Sequence, residues 1–250
     1  MEFPIQPFAP MPLLRDPPPW NGPNRTGGPT ALGHSVLGNI VNLYGERRAN
    51  LLVMGGVHGD ESEGIFLSHL LLSSDSTVPV IPCLNPDGAL LRQRWNRNNV
   101  DLNRNLPTRD WEAEPRNTRY PPGATPASEP ETQAFLEALK RVQPTTVISL
   151  HSFRETFVEI QRPPDALPAP VNEAVDAFAR AAGIERRLSI GYDTPGALGS
   201  FGLDNGLLVV TYELRRGSSH GELYALLPDF LRLLQGLEAN SFKPRNAPEH

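Results

Sequence analysis

The sequence has very little cysteine and no long apolar run. Its 250 residues include one cysteine, Cys83, which excludes an internal disulfide framework and any multi-cysteine metal cluster. A metal ion would therefore need histidine and carboxylate ligands. No apolar stretch reaches the roughly 18 residues that a membrane-spanning helix requires. Because a single cysteine is compatible with a reducing compartment, we expect a cytoplasmic protein without a membrane anchor.

Excess positive charge is also missing. Lys and Arg number 23 against 28 Asp and Glu, which gives a formal net charge of -5 and a sequence pI near 5.7. Such a chain has no general positive field for wrapping nucleic acid or for docking on anionic lipid. We therefore expect neither nucleic acid nor a membrane as partner.

Proline is abundant where the chain begins. Residues 1–30 contain nine prolines, a density that fixes φ and removes backbone donors too often for a regular helix or strand. The apolar start also carries Glu2 and scattered prolines, which a signal peptide would not have. We predict a proline-rich arm over 1–30, followed by one domain over 31–250.

The rest of the sequence alternates short apolar runs with helical patterns, which predicts an α/β fold with helices on both faces of a central sheet. A capping box of Ser128 and Glu131 is expected to begin one helix, and Pro144 to end it. The stretch 106–128 reads as a long loop, a class of loop that often binds ligands. Strands are predicted at 51–55, 78–83, 145–150 and 207–213, and further helices at about 61–73 and 220–237.

Two histidines and one glutamate follow predicted strands. His58 and Glu61 come directly after the first strand, and His151 ends the third. The carboxyl edge of an open α/β sheet is where such folds place their sites. Two histidines and a carboxylate suit zinc and leave a fourth position for water, as in catalytic sites. Taken singly, each histidine is more often an ordinary buried polar residue.

Arginine and asparagine dominate residues 85–107, a composition suited to fixing a small anion with directed donors. A solvated loop and an RNA-binding patch are the alternatives, and the acidic balance opposes the second. The arginines and asparagines concerned at 85–107 are Arg92, Arg94, Arg97, Arg104, Asn96, Asn98, Asn99, Asn103 and Asn105.

Glu213 ends the last apolar strand. It is either a structural acid paired with Arg215 or a general base with an adjusted pKa.

Together these residues resemble the zinc carboxypeptidases of the M14 family over about residues 50–217, in the order H-x-x-E, R-x-N, D-x-N-R, H-S, Y and E-L-R. The resemblance implies a zinc carboxypeptidase-like fold with a mixed sheet, and one zinc ion per chain. It implies zinc ligation by His58, Glu61 and His151, with Asp101 holding a ligand histidine in its tautomer.

The remaining roles implied by the family concern substrate. Glu213 falls on the general base and Arg94 on the arginine that polarises the scissile carbonyl. Asn103 and Arg104 fall on the pair that grips the terminal carboxylate of a peptide. Tyr192 falls on the mobile tyrosine, which both binds substrate and assists catalysis. The implied partner is thus a small peptide with a free C-terminal carboxylate.

Within the family the closest likeness is to the bacterial murein peptide amidases. The shared stretches are NPDG at 85–88, VDLNRN at 100–105, SEPETQA at 128–134 and GYDTPGALGSFG at 191–202. The implied reaction is hydrolysis of the γ-D-Glu–meso-diaminopimelate (DAP) bond of L-Ala-γ-D-Glu-meso-DAP in cell-wall recycling. Asn99 replaces a usual glycine, where Asn tolerates φ > 0, and Leu106 replaces a usual Phe.

Other readings stay open. A pocket for C-terminal Lys or Arg would want an acid about seven residues after the tyrosine, where Gly199 and Ser200 stand, although Asp193 and Asp204 could reach a cation. For a DAP side chain, the positive partner could be Arg154, Arg215 or Arg216. A desuccinylase or aspartoacylase-like hydrolase and an inactive peptide-binding module are further alternatives. The apolar C-terminal helix suits the core or a homodimer face equally well.

Overall fold

The structure, a computed structural model, describes residues 28–45 and 48–242. Its regular elements, in chain order, are β1 (Thr30–His34), β2 (Ile40–Leu43), β3 (Leu51–Met54), α1 (Ser62–Leu72), β4 (Val80–Ile81), α2 (Pro86–Leu91), α3 (Pro130–Val142), β5 (Thr146–Phe153), β6 (Phe157–Glu159), α4 (Ala169–Ala182), β7 (Glu185–Arg187), α5 (Leu198–Asp204), β8 (Leu208–Arg215) and α6 (His220–Ala239). A 3₁₀ turn spans Leu102–Arg104.

Six strands form the central sheet in the order β4-β3-β5-β8-β6-β7, and β1 pairs with β2 in a separate hairpin. The four strands from β4 to β8 run parallel, whereas β6 runs antiparallel to β8. The sheet is therefore mixed, as expected. Because β3, β5 and β8 are parallel, the residues that follow or end them meet at one edge of the sheet.

Both faces of the sheet are covered. One face packs on α1, α4 and α6, and the other on the hairpin, α3 and α5. The central strand β5 is buried along seven of its eight residues, as expected for a parallel strand that is covered on both faces. The prediction of helices on both faces is confirmed, and the apolar face of α6 contributes to the core.

The predicted capping box at the start of α3 is wrong. Ser128 Oγ donates to Glu129 Oε1 at 2.7 Å, and Glu129 is the residue that precedes the helix. Glu131 accepts from Asn96 Nδ2 at 2.9 Å and from the backbone N–H of Val36 at 3.2 Å. A tertiary contact thus uses the carboxylate that the local pattern assigned to the helix end.

Several elements differ from the sequence prediction in extent. The strand expected over 78–83 is shortened to β4, whereas β5 and β8 each run on to the polar residues at the sheet edge. The stretch 106–128 contains no helix or strand, as predicted. The hairpin, α2, β6, α4, β7 and α5 were not anticipated.

The proposed proline-rich arm lies outside the described residues except for its last three positions, and β1 already begins at Thr30. Within 28–45 and 48–242, no helix is both long enough and apolar enough to cross a membrane.

Candidate active site

The residues predicted to bind zinc meet at the sheet edge. His58 follows β3, Glu61 immediately precedes α1, and His151 lies in β5, the neighbouring parallel strand. Glu61 Oε1 lies 2.9 Å from His58 Nδ1, and Glu61 Oε2 lies 2.9 Å from His151 Nδ1. The two Nδ1 atoms are 3.2 Å apart. Three residues that are far apart in sequence thus converge on one point.

This cluster fits a zinc ion. Ligand atoms at 2.0–2.1 Å around a tetrahedral zinc are separated by about 3.3 Å, close to the observed spacing of the two ring nitrogens. All three residues are buried, with 3% exposure each. In the part of the chain that the structure describes, it is also the one group of three or more His, Cys, Asp or Glu residues placed to hold a metal.

Glycine is required between His58 and Asp60. A Cβ at Gly59 would lie 1.9 Å from the carbonyl carbon of Gly88. Any larger residue would displace the turn that carries His58 from the backbone of α2. Packing therefore requires the glycine that directly follows His58.

Asp101 connects the histidine to the arginine-rich segment. Its Oδ1 lies 3.2 Å from His58 Nε2 and accepts the backbone N–H of Asn103 at 2.9 Å, while its Oδ2 accepts Arg94 Nε at 2.8 Å. Burial disfavours the charged form, but Arg94 and His58 outweigh it and hold the pKa of Asp101 far below its usual range. Because Nε2 of His58 contacts this carboxylate, Nδ1 is left for the metal.

Glu213 is the neighbour of His151 in the register of β5 and β8. It is 9% exposed, and its Oε2 has no hydrogen-bond partner among the described residues. Burial is the main cause that raises its pKa to about 7, with the charges of Glu61 and Glu159 adding to it. The proposed pairing of Glu213 with Arg215 is wrong, since Arg215 Nη2 instead contacts Glu222 Oε1 at 2.5 Å.

The predicted carboxylate clamp lies beside the cluster of predicted zinc ligands. Asn103 Oδ1 accepts the backbone N–H of Leu198 at 2.9 Å, which ties the clamp to α5. Arg104 is 5% exposed and Arg94 is partly buried, with Arg94 Nη1 3.8 Å from Glu61 Oε1. The structure thus brings the two arginines and the asparagine together at the rim of the metal cluster.

Tyr120 is a site residue that the sequence analysis missed. Its ring centroid lies 5.0 Å from the guanidinium carbon of Arg94 and 4.9 Å from that of Arg104. It also stacks on Tyr192 at 6.3 Å. Burial, followed by a side-chain hydrogen bond with Tyr120, raises the pKa of Tyr192. The only available signal was its location in the long loop 106–128.

The backbone on either side of Tyr120 is anchored to the same segment. Trp95 Nε1 donates to the carbonyl of Arg119 at 2.8 Å, and the backbone N–H of Asp101 donates to Pro121 at 2.9 Å. Tyr120 is therefore held from both neighbours against the segment that carries Arg94.

Several other residues considered above are engaged elsewhere. Asp193 pairs with Arg116, Asp204 accepts the backbone N–H of Arg109, and Ser200 donates to Asp110. Arg92, Arg97 and Arg154 are exposed. Arg216 lies 3.0 Å from Asp60 Oδ2 and 3.5 Å from Glu61 Oε1. Asn99 has φ 59°, as expected for the residue that stands in place of glycine.

Comparison with known proteins agrees with this geometry. The family profile described as zinc carboxypeptidase (Peptidase_M14) matches residues 26–185. Murein peptide amidase A of Escherichia coli K12 is 35% identical over 199 residues, which cover 72% of this chain and 78% of that protein. Murein peptide amidase A of Vibrio campbellii is 30% identical over 229 residues, covering 83% and 87%.

Solved structures show the same fold. The crystal structure of murein-tripeptide amidase MpaA from Escherichia coli O157 matches with a TM-score of 0.69 and 30% identity, over 83% of this chain and 93% of that one. Bovine thrombin-activatable fibrinolysis inhibitor, in complex with tick carboxypeptidase inhibitor, matches with a TM-score of 0.67 and 19% identity, over 86% and 90%. The second similarity concerns the fold alone.

Proposed function

Because the chain belongs to the zinc carboxypeptidase family, we propose that it is a zinc-dependent amidase that hydrolyses the γ-D-Glu–meso-DAP bond of murein tripeptide. The observation that carries the proposal is the juxtaposition at the sheet edge. His58, Glu61 and His151 converge on one point, and Glu213 stands next to His151 with a buried, unpaired carboxylate oxygen.

A zinc ion held by His58, Glu61 and His151 would activate water near neutral pH and polarise a carbonyl group. Glu213 is placed to accept the proton of the attacking water and to deliver it to the leaving amine when the C–N bond breaks. Its raised pKa suits a group that must both take and give a proton near pH 7.

Two arginines divide the remaining work. Arg94 is oriented by Asp101 and lies at the rim of the metal cluster, where it would donate to the carbonyl oxygen as negative charge develops. Arg104, with Asn103, would grip the free carboxylate of the departing residue and so fix the register of the peptide. Tyr192 would close over the bound peptide from the rim.

The substrate assignment rests on the relatives. The proteins named murein peptide amidase A in Escherichia coli and Vibrio are matched over most of their length, and MpaA from Escherichia coli O157 shares the fold at 30% identity. A cytoplasmic location is part of the same proposal, because recycled wall peptides would be degraded there. The half-buried single thiol of Cys83 is compatible with it. Whether the enzyme forms a homodimer stays a prediction.

The proposal is tested by incubating zinc-loaded protein with L-Ala-γ-D-Glu-meso-DAP and following released DAP by mass spectrometry. Wild type should release DAP. Glu213→Gln should be slower by about 10²- to 10⁴-fold while keeping about one zinc per chain, because the substitution removes the base and leaves the three ligands. Glu155→Gln, an exposed change of the same chemistry, should behave as wild type.

No release of DAP from a zinc-loaded protein would refute the substrate. Activity on N-succinyl or N-acetyl amino acids would then favour the acyl-amino-acid hydrolase. Binding of the tripeptide without cleavage by wild type would favour the inactive binding module.

A further inference from the structure

A small pocket lies beside Glu213 on the same face of the sheet. It is bounded by β6 and its continuation, by α5 and by β8, with Glu159, Gln161, Arg162, Gly199, Val209 and Thr211 among its lining residues. We call it the β6 pocket. In the register of the sheet Glu159 stands opposite Thr211, two residues before Glu213. Because side chains alternate along a strand, Val209, Thr211 and Glu213 face the same side.

Residues that line the β6 pocket are near neighbours in the chain of the general base and of a residue that contacts the carboxylate clamp. Glu213 is one side-chain repeat along β8 from Thr211, a distance of about 7 Å. On the other side Asn103 contacts Leu198, the residue next to Gly199 on α5. A residue whose carboxylate is held at Asn103 and Arg104, and whose amide bond lies at Glu213, would direct its side chain toward this pocket.

The β6 pocket contains a carboxylate without a cation. Glu159 is 4% exposed and forms no ion pair with any described residue. Its Oε1 accepts a long bond of 3.3 Å from Gln161 Nε2, and the backbone of Ile190 donates to the same carboxylate. A buried carboxylate left in this state carries a desolvation cost, which a cationic ligand group would offset.

Gly199 keeps the amide of Gln161 in place. A Cβ at this position would lie 2.3 Å from Gln161 Oε1. The glycine found where the family places its pocket floor therefore makes room for a polar side chain that comes from the opposite wall.

A positive group lines the same pocket. Arg162 Nη2 donates weakly to the carbonyls of Gly202 and Leu207, both at 3.3 Å, and its guanidinium stacks on Phe242 at 5.3 Å. No carboxylate among the described residues pairs with it. The β6 pocket therefore offers one group of each sign.

We propose that the β6 pocket receives the side chain of the C-terminal residue, with an ammonium group at Glu159 and a carboxylate at Arg162. The ligand class is thus a side chain that ends in an α-amino-acid group. The inference rests on the proposed function and deepens it, because it assigns the recognition of the distal end of DAP to residues of this chain. In this proposal β6 supplies the acid that is missing at Gly199 and Ser200.

The test separates the two charges. Three peptides share L-Ala-γ-D-Glu and end in meso-DAP, in L-Lys, which has only the side-chain ammonium, or in 2-aminopimelate, which has only the side-chain carboxylate. Glu159→Gln should lower kcat/KM about 10- to 100-fold for the DAP and Lys peptides and leave the aminopimelate peptide within about threefold. Arg162→Gln should lower kcat/KM for the DAP and aminopimelate peptides and leave kcat/KM for the Lys peptide unchanged.

The same three peptides serve for the control variants and for the results that would contradict the proposal. Glu155→Gln and Arg141→Gln are matched changes in exposed ion pairs away from the pocket and should leave all three peptides unchanged. An equal loss on all three peptides in Glu159→Gln, or no loss on any, would overturn the role of Glu159. The same two outcomes in Arg162→Gln would overturn the role of Arg162.

Binding of free amino acids distinguishes failure of the subsite from failure of the proposed function. Calorimetry with meso-DAP, lysine and 2-aminopimelate needs no turnover. If wild type cuts none of the peptides, the proposed function fails. The subsite still stands if wild type binds meso-DAP and Glu159→Gln binds it about tenfold or more weakly. Equal binding by both proteins, or none by wild type, would refute it.

Discussion

The zinc-site corner and the substrate wall lie at the same edge of the sheet but are built in different ways. The corner is His58, Glu61, His151 and Glu213; the wall is Tyr120, Glu159, Gln161 and Arg162. In the corner the ionisable groups contact or neighbour one another at the ends of parallel strands. In the wall Glu159 and Arg162 lie in one pocket without an ion-pair partner among the described residues. The corner is therefore arranged for one reaction, whereas the charged groups of the wall need ion-pair partners that the ligand supplies.

The largest expected effect comes from breaking the corner. His151→Ala removes one of three ligand atoms and leaves Glu61 with one histidine. We expect the zinc content to fall from about one per chain to near zero, and kcat/KM to fall roughly a thousandfold or more. Metal analysis and the DAP-release assay measure the two quantities.

His34→Ala is the control for that variant, because His34 is exposed on β1. It should keep zinc and activity. If His151→Ala retained a full zinc complement, the ligand set proposed for the corner would be incorrect.

A second effect concerns the loss of folding stability caused by the buried, charged carboxylate of Glu213 in the corner. In the metal-free protein its folded pKa is about 7, against about 4.3 in an unfolded chain. Between these values the unfolded chain releases the proton while the folded chain retains it, so stability falls as pH rises. Above pH 7 the cost is of the order of 3 kcal/mol.

Glu213→Gln should remove that cost. The metal-free variant is expected to be more stable than metal-free wild type above pH 7, and the difference should disappear below about pH 4.3. Urea unfolding at pH 4, 6 and 8 measures it. A difference that does not depend on pH would show that the burial of Glu213 charge is not its cause.

A smaller effect is expected from the loop side of the wall. Tyr120→Leu removes the ring that lies over Arg94 and Arg104, so the two guanidinium groups can adopt more conformations. We expect kcat/KM to fall about tenfold to thirtyfold, mainly through KM. The preference for a free C-terminal carboxylate over its amide should fall in parallel, because that preference depends on the position of Arg104.

Tyr120→Phe separates the ring from the hydroxyl. It keeps the stacking on both arginines and loses the hydrogen bond to Tyr192, so we expect the preference for the carboxylate to be retained. If Tyr120→Leu and Tyr120→Phe each lowered kcat/KM by the same factor for the peptide with a free carboxylate and for its amide, Tyr120 would act only through the stability of the loop.

Individual residues show which structural features a local sequence pattern can predict. The runs that became β3, β5 and β8 are apolar because these strands are buried, and the polar residues at their ends stand out for that reason. The predicted capping box is absent because Ser128 bonds to its neighbour Glu129 and to Asn105, and Glu131 bonds to Asn96. The capping box of Ser219 with Glu222 at α6 forms even though Arg215 also contacts Glu222.

The two short strands that were not anticipated share a cause. β6 and β7 are three residues each, too short to carry a periodic signal, and they form strands because β8 offers an edge with which to pair. Tyr120 lies in a loop without periodicity, and its place over the arginines follows from contacts made by its neighbours.

The sequence by itself determined the alternation of strands and helices, the sheet edge at which polar residues gather and, through ordered motifs, the family and the candidate zinc ligands. These features depend on burial and on short spacings, which are written in neighbouring residues. Only the tertiary structure decided which groups remain unpaired in the β6 pocket, which tyrosine covers the two arginines and which acid supplies the negative charge beside the general base. Those features depend on distances between segments that the chain brings together only by folding, because an unpaired charge is defined by everything that surrounds it.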